Sequence, residues 1–187
     1  MKQTLWLAKE PFPVALKPTL LSSTVGHIGT WGFQDLFLQK PNGTLATATK
    51  RGNFSCAWFM VAPLLALELI SRTESYVEPM IDRLFESGWF ISPDPEQARI
   101  VVWAAKPGSD GDIHLHIGLC LDTKWCISND NGSPQRHRIS GYLHNVDGSE
   151  RAVLYYLAHP GIEADTKAYE FQEVDSRWRL VDPISET

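Results

Sequence analysis

The stretch Asp112-Ile113-His114-Leu115-His116-Ile117-Gly118-Leu119-Cys120-Leu121-Asp122 alternates with period two, a pattern that fits a β-strand and no helix. His114, His116 and Gly118 share one face of that strand. After a short turn at Asp122, Thr123 and Lys124, the residues Trp125-Cys126-Ile127-Ser128-Asn129 read as a second strand. Strands joined this closely pair antiparallel, which brings Ser128 or Asn129 near His116. Further strands are expected at about 99–105, 136–143 and 152–158, and the tail reads as a final hairpin turning near Asp175 and Ser176.

Upstream, the small polar approach Asn53-Phe54-Ser55 gives way at Cys56 to an apolar run continuing through Ile70. That junction predicts a helix over residues 56–72, apolar nearly all round, with Pro63 kinking or ending its first segment. A second helix is expected over about 75–87, where Val77, Ile81, Leu84 and Phe85 stand at helical spacing and Gly88 supplies the stop. Residues 1–45 carry Pro11, Pro13, Pro18, Gly26, Gly29, Gly32 and Pro41 among apolar side chains, and read as irregular structure with short strands packed on the core. Together these elements give an α+β chain in which one helix packs against an antiparallel sheet.

The placement of Cys56 has chemical meaning. A thiol on the first turn of a helix meets unpaired N–H groups and the positive end of the helix dipole, which favour the nucleophilic thiolate. The competing reading is a buried cysteine acting as a small hydrophobe. A cysteine nucleophile needs an imidazole to take its proton and a polar group to hold that imidazole, and both can be distant in sequence. His116 supplies the first, and Asn129 the second through its amide oxygen, with Ser128 as the alternative. His114, on the same strand face, flanks the site or serves as the base in its place. Trp58 lines the cleft or belongs to the core. Arg136 and His137 either bind a carboxylate or form solvated surface.

In this order of residues the chain resembles the NlpC-type cell-wall cysteine peptidases, which share a papain-like fold with the CHAP amidases. The resemblance rests on Ser55-Cys56-Ala57-Trp58-Phe59, on His116-Ile117-Gly118-Leu119-Cys120-Leu121 and more weakly on Cys126-Ile127-Ser128-Asn129, and covers about residues 46–162. Many relatives have a Pro-x-x-Gly-Asp turn where this chain has Pro95-Glu96-Gln97-Ala98-Arg99. The chain reads as one domain over residues 1–187, papain-like on the resemblance: an N-terminal extension (1–45), a core that the resemblance implies is catalytic (46–162) and a C-terminal β-hairpin (163–187). The resemblance implies Cys56, His116 and Asn129 as the catalytic set; Trp58, His114 and Ser128 are expected at the substrate. The activity implied is hydrolysis of an amide or peptide bond through a thioester, in the stem peptides of peptidoglycan. The alternative is a non-catalytic binding or interaction module that keeps the fold.

Composition narrows the partners. A formal net charge of −5 with scattered lysines and arginines offers no basic stripe for nucleic acid. Three cysteines do not make a secreted disulfide framework. His114, His116, Cys120 and Cys126 are all zinc-ligand types, but residues 116 and 120 of one extended strand stand about 13 Å apart. That is too far for both to reach one ion through bonds of about 2 Å, so no metal and no cofactor is expected. The first ten residues lack a signal-peptide pattern, and the apolar run from Ala57 to Leu67 is too short to span a bilayer. The chain is expected to be cytoplasmic, phage-associated, or exported by a route other than a cleaved signal, with a peptide or peptidoglycan fragment as partner and no membrane association.

Overall fold

A computed structural model describes residues 4–7, 10–50, 52, 54–108, 111–130, 132–145, 147–163, 170–174 and 177–181. The elements run β1 (Thr4–Leu7), β2 (Glu10–Pro13), α1 (Leu16–Val25), β3 (Phe37–Gln39), β4 (Leu45–Thr47), α2 (Cys56–Ala66) and α3 (Val77–Glu86). They continue with β5 (Phe90–Ser92), β6 (Ile100–Pro107), β7 (Ile113–Cys120), β8 (Trp125–Asp130), β9 (Ser133–Arg138), β10 (Val153–Ala158), α4 (Pro160–Glu163), β11 (Glu170–Val174) and β12 (Arg177–Val181). Six strands form one sheet in the order β5-β10-β6-β7-β8-β9, every pairing antiparallel. The β1-β2, β3-β4 and β11-β12 pairs are separate hairpins. The chain is therefore α+β with few helices. The final hairpin is where the sequence indicates, although its turn at Asp175 and Ser176 lies outside the described residues.

Strand alternation divides the sheet into two faces. Ile100, Val102, Ile117, Leu119, Ile127 and Leu157 join the core with Leu20 and Leu21 of α1, Phe59, Met60 and Leu64 of α2, and Met80 and Leu84 of α3. Val101, Trp103, Cys120 and Cys126 point the other way, into a second core completed by Ala98 and by Ile139 and Leu143 from the segment after β9. Trp103 is fully buried there and donates its indole N–H to the Ile139 carbonyl at 3.0 Å.

Three local features depart from the expected pattern, each for a physical reason. Helix α1 forms despite Pro18, because Pro18 is the third helical residue, where a backbone N–H has no intrahelical acceptor to lose. Helix α2 runs through Pro63 but stops at Ala66 rather than near residue 72. Glu68 turns into the left-handed region at φ 56°, and the Leu69 N–H reaches back to the Leu64 carbonyl at 2.8 Å, a Schellman closure. Leu69 and Ile70 stay buried beyond that closure, so the apolar run marks burial rather than helix length. Strand β9 spans Ser133–Arg138, earlier than the 136–143 segment expected, since Pro134 sits at an edge strand where its missing donor removes no ladder bond.

Gly118 governs how closely β7 and β8 approach. A Cβ built there would lie 2.9 Å from the Ile127 carbonyl oxygen, 3.1 Å from the Ser128 Cβ and 3.2 Å from the Trp103 ring. Two of these neighbours belong to β8 and the third fills the second core, so none retreats without moving a packed element. Gly118→Ala is therefore expected to destabilise the fold by about 1–3 kcal/mol, the usual range for overpacking. Urea unfolding of the variant measures this, and an unchanged midpoint would mean that β8 yields freely.

Candidate active site

Cys56 is the first residue of α2, after Ser55. Ser55 does not cap the helix with its side chain; its hydroxyl instead donates to the Gly52 carbonyl at 2.7 Å. The first-turn N–H groups are thus left without a side-chain acceptor from the cap position. The backbone amides of Ile117, Ala57 and Cys56 itself and the positive charge of Arg151 act to lower the Cys56 thiol pKa. Burial opposes all of these and pushes the thiol up to about 11 from 9.0. Forming the thiolate at rest then costs about 3 kcal/mol more than in water, against the ~0.3–1 kcal/mol a helix terminus contributes. Burial wins, and the resting group is a protonated thiol.

His116 lies one residue before Ile117 on β7, pairs with Trp103 across β6 and is only 7 % exposed. Its Nε2 is 2.9 Å from Ser128 Oγ, and the same hydroxyl is 2.7 Å from His137 Nε2. His137 in turn bonds through Nδ1 to the Arg138 carbonyl at 2.8 Å. The ring of Tyr142 stacks on His137 at 4.2 Å, and Trp103 packs against both imidazoles at 5.4 and 5.8 Å. Burial drives the His116 pKa well below 6.5, and the positive charges of Arg151 and Lys106, and of His137 when protonated, act in the same direction.

Arg151 connects the two halves of this region. It is buried, and its guanidinium donates to the carbonyls of Ala104 and His114, spanning β6 and β7 at the irregularity between Trp103 and Lys106. Beyond Leu119↔Ile127 the direct pairing of β7 with β8 ends, while β8 stays paired with β9 through Asp130.

The expected site residues separate into groups. Cys56 belongs with Ile117 to the helix-side core, whereas His116 faces Trp103, Ser128 and His137 on the other side of β7. Among the described residues no hydrogen bond joins Cys56 to His116. The orienting bond expected from Asn129 comes from Ser128 instead. Strand alternation puts Asn129 on the opposite face from Ser128, and both of its buried side-chain polar atoms lack a partner. Trp58 is half-buried on α2, with its indole nitrogen also unpartnered. The ring of His114 lies 4.5 Å from that of Phe54. His137 is 2 % exposed rather than solvated surface, and Arg136 lies over the Trp125 ring at 3.8 Å. The available signal for His137 was register: pairing with Cys126 sets it on the same face as Ser128. Cys56, Cys120 and Cys126 are all free and buried.

Comparison of the chain with protein-family models, curated proteins and solved structures finds no match. Among the described residues no helix is long and apolar enough to cross a membrane.

Two predictions follow from the partner assignments. Ser128→Ala leaves two buried imidazole nitrogens without their common partner and should cost about 1–3 kcal/mol. Asn129→Leu removes two buried polar atoms that have none, and should be neutral or stabilising. Chemical denaturation of both variants tests the contrast, and the reverse order would restore Asn129 as the partner. For pH, the unfolded chain protonates His116 near 6.5 while the folded chain does so only well below, so the stability linked to neutral His116 is present above 6.5. It is lost as pH falls from 6.5 toward the folded value. His27 and His159 are lowered by burial in the same sense, so His116→Gln should reduce the acid slope of the unfolding free energy without abolishing it.

Proposed function

We propose that the protein is a cysteine hydrolase of an amide or peptide bond, with Cys56 as nucleophile, His116 as base and Ser128 as the polar group holding the imidazole. The arrangement is read as papain-like, of the NlpC type that the sequence resembles. One observation carries this reading: Cys56 is the first residue of a helix packed against β7, the strand that bears a buried, hydrogen-bonded imidazole at His116.

This chemistry requires Cys56 and His116, which lie on opposite sides of β7, to be brought together; the Cys56 S–H proton then passes to His116 Nδ1 as sulfur attacks the carbonyl carbon. Backbone N–H groups at the start of α2 stabilise the tetrahedral oxyanion. The imidazolium gives its proton to the leaving amine nitrogen as the C–N bond breaks, leaving a thioester. Water, deprotonated by His116, attacks the thioester carbon; the acid leaves and sulfur regains its proton. Peptidoglycan stem peptides are the proposed substrate, on the resemblance alone.

A specific observation favours a second reading, a non-catalytic interaction module. Cys56 and His116 are both buried on opposite sides of β7 and share no hydrogen bond, and a thiol near 11 with an imidazole well below 6.5 makes their ion pair costly at rest. The two readings differ in a direct experiment. Muropeptides incubated with the protein should release a new amine and carboxylate detectable by mass spectrometry, and a peptidyl vinyl sulfone should add to Cys56 and not to Cys120 or Cys126. Cys56→Ala should remain folded and lose both signals. Undiminished cleavage by that variant would sink the hydrolase mechanism, and binding of muropeptides without cleavage by the parent protein would select the interaction module.

A further inference from the structure

We infer that His137, acting through Ser128, is the positioning residue that sets the tautomer of His116, leaving Nδ1 of His116 without a proton. The inference rests on the proposed role of His116 as a base, but its geometry stands independently of turnover. A neutral imidazole carries one N–H. The Arg138 carbonyl can only accept, so the 2.8 Å contact assigns that N–H to His137 Nδ1. His137 Nε2 is then a bare acceptor, and the 2.7 Å contact makes Ser128 the donor to it. A hydroxyl has one proton, so Ser128 Oγ can only accept along its 2.9 Å contact with His116. The N–H of His116 therefore sits on Nε2, and its lone pair on Nδ1.

The chain runs in one direction because its far end is a carbonyl. Ser128 alone does not achieve this, since a serine hydroxyl can donate or accept equally well and would permit either tautomer of His116. His137 removes that freedom by taking the only proton the hydroxyl has. The device is rigid: His137 is clamped between the Tyr142 ring and Trp103, and the Cys126 S–H donates to the His137 carbonyl at 3.5 Å. Two residues thus do what a single amide or imidazole partner could do alone. A general base in the wrong tautomer presents an N–H where a lone pair is needed, and the penalty can be large.

The test is the tautomer itself. Long-range ¹H–¹⁵N correlation spectra of the uniformly ¹⁵N-labelled full chain at neutral pH should show His116 protonated on Nε2 and bare on Nδ1. In His137→Ala the Ser128 hydroxyl is released, and the His116 signals should shift toward a mixture of the two forms. His137→Gln, whose amide oxygen can accept from Ser128, should restore the parent pattern. Hydrolysis, where present, should follow with kcat down by about tenfold or more in His137→Ala, KM little changed, and partial rescue by Gln. A parent protein with the proton on His116 Nδ1 would overturn the inference, as would a His137→Ala spectrum identical to the parent's. Should the Ala variant fail to fold, the parent spectrum and the Gln variant still decide. The expected tautomers without any hydrolysis would remove the hydrolase reading and leave the tautomer assignment standing.

Discussion

Strand β7 runs through the middle of a six-stranded sheet, and from His116 to Cys120 it is buried on both faces, so each of those side chains must enter one core or the other. Ile117 and Leu119 go to the helices, and alternation then commits His116, Gly118 and Cys120 to the side of Trp103. An imidazole forced into an apolar layer must find partners or cost several kcal/mol. Ser128 meets that demand for His116, and its hydroxyl also serves His137. The polar chain on this face is thus a consequence of where the hydrophobic residues of one strand had to go. Gly118 belongs to the same constraint, since only a residue without a side chain lets the Ser128 strand close over Trp103.

The parts legible in the sequence were those with strong periodicity. The alternating strands β6, β7, β8 and β10, the helix beginning at Cys56 and the amphipathic α3 ending just before Gly88 all follow from side-chain pattern and stop signals. Helix α1 was not legible because Pro18, Gly26 and neighbouring polar residues mask an apolar stripe made only of Leu20, Leu21 and Val25. The end of α2 was not legible because Leu69 and Ile70 remain buried after the helix closes, and hydrophobicity reports burial without reporting backbone geometry.

The candidate site shows the same boundary at the scale of single residues. That β8 supplies the partner of His116 could be read from the short turn joining two strands. Which of two adjacent residues supplies it could not, because a one-residue slip in register exchanges the faces of Ser128 and Asn129. An amide is the more familiar partner for a catalytic imidazole, and that chemical preference pointed to the wrong face. His137 lay further out of reach. Its role depends on β9 pairing with β8 so that His137 stands opposite Cys126, a relation between two strands that neither strand's own pattern encodes.

Arg151 joins the two faces electrostatically. Its buried guanidinium pulls the Cys56 thiol down and the His116 imidazole down together. For a thiolate–imidazolium pair these effects are opposed, since the same cation that favours the sulfur anion disfavours the protonated ring. Burial also disfavours both charged forms, so the resting state is a neutral thiol on one side of β7 and a neutral imidazole on the other. Under the proposed chemistry, the proton then leaves sulfur only as the carbon–sulfur bond forms, when the negative charge moves to the carbonyl oxygen at the start of α2. The imidazolium exists only until the leaving nitrogen takes its proton. A base used this way needs a lone pair held in advance on the correct nitrogen more than it needs a high pKa, and such a lone pair is what a one-directional chain from His116 through Ser128 and His137 to the Arg138 carbonyl would supply.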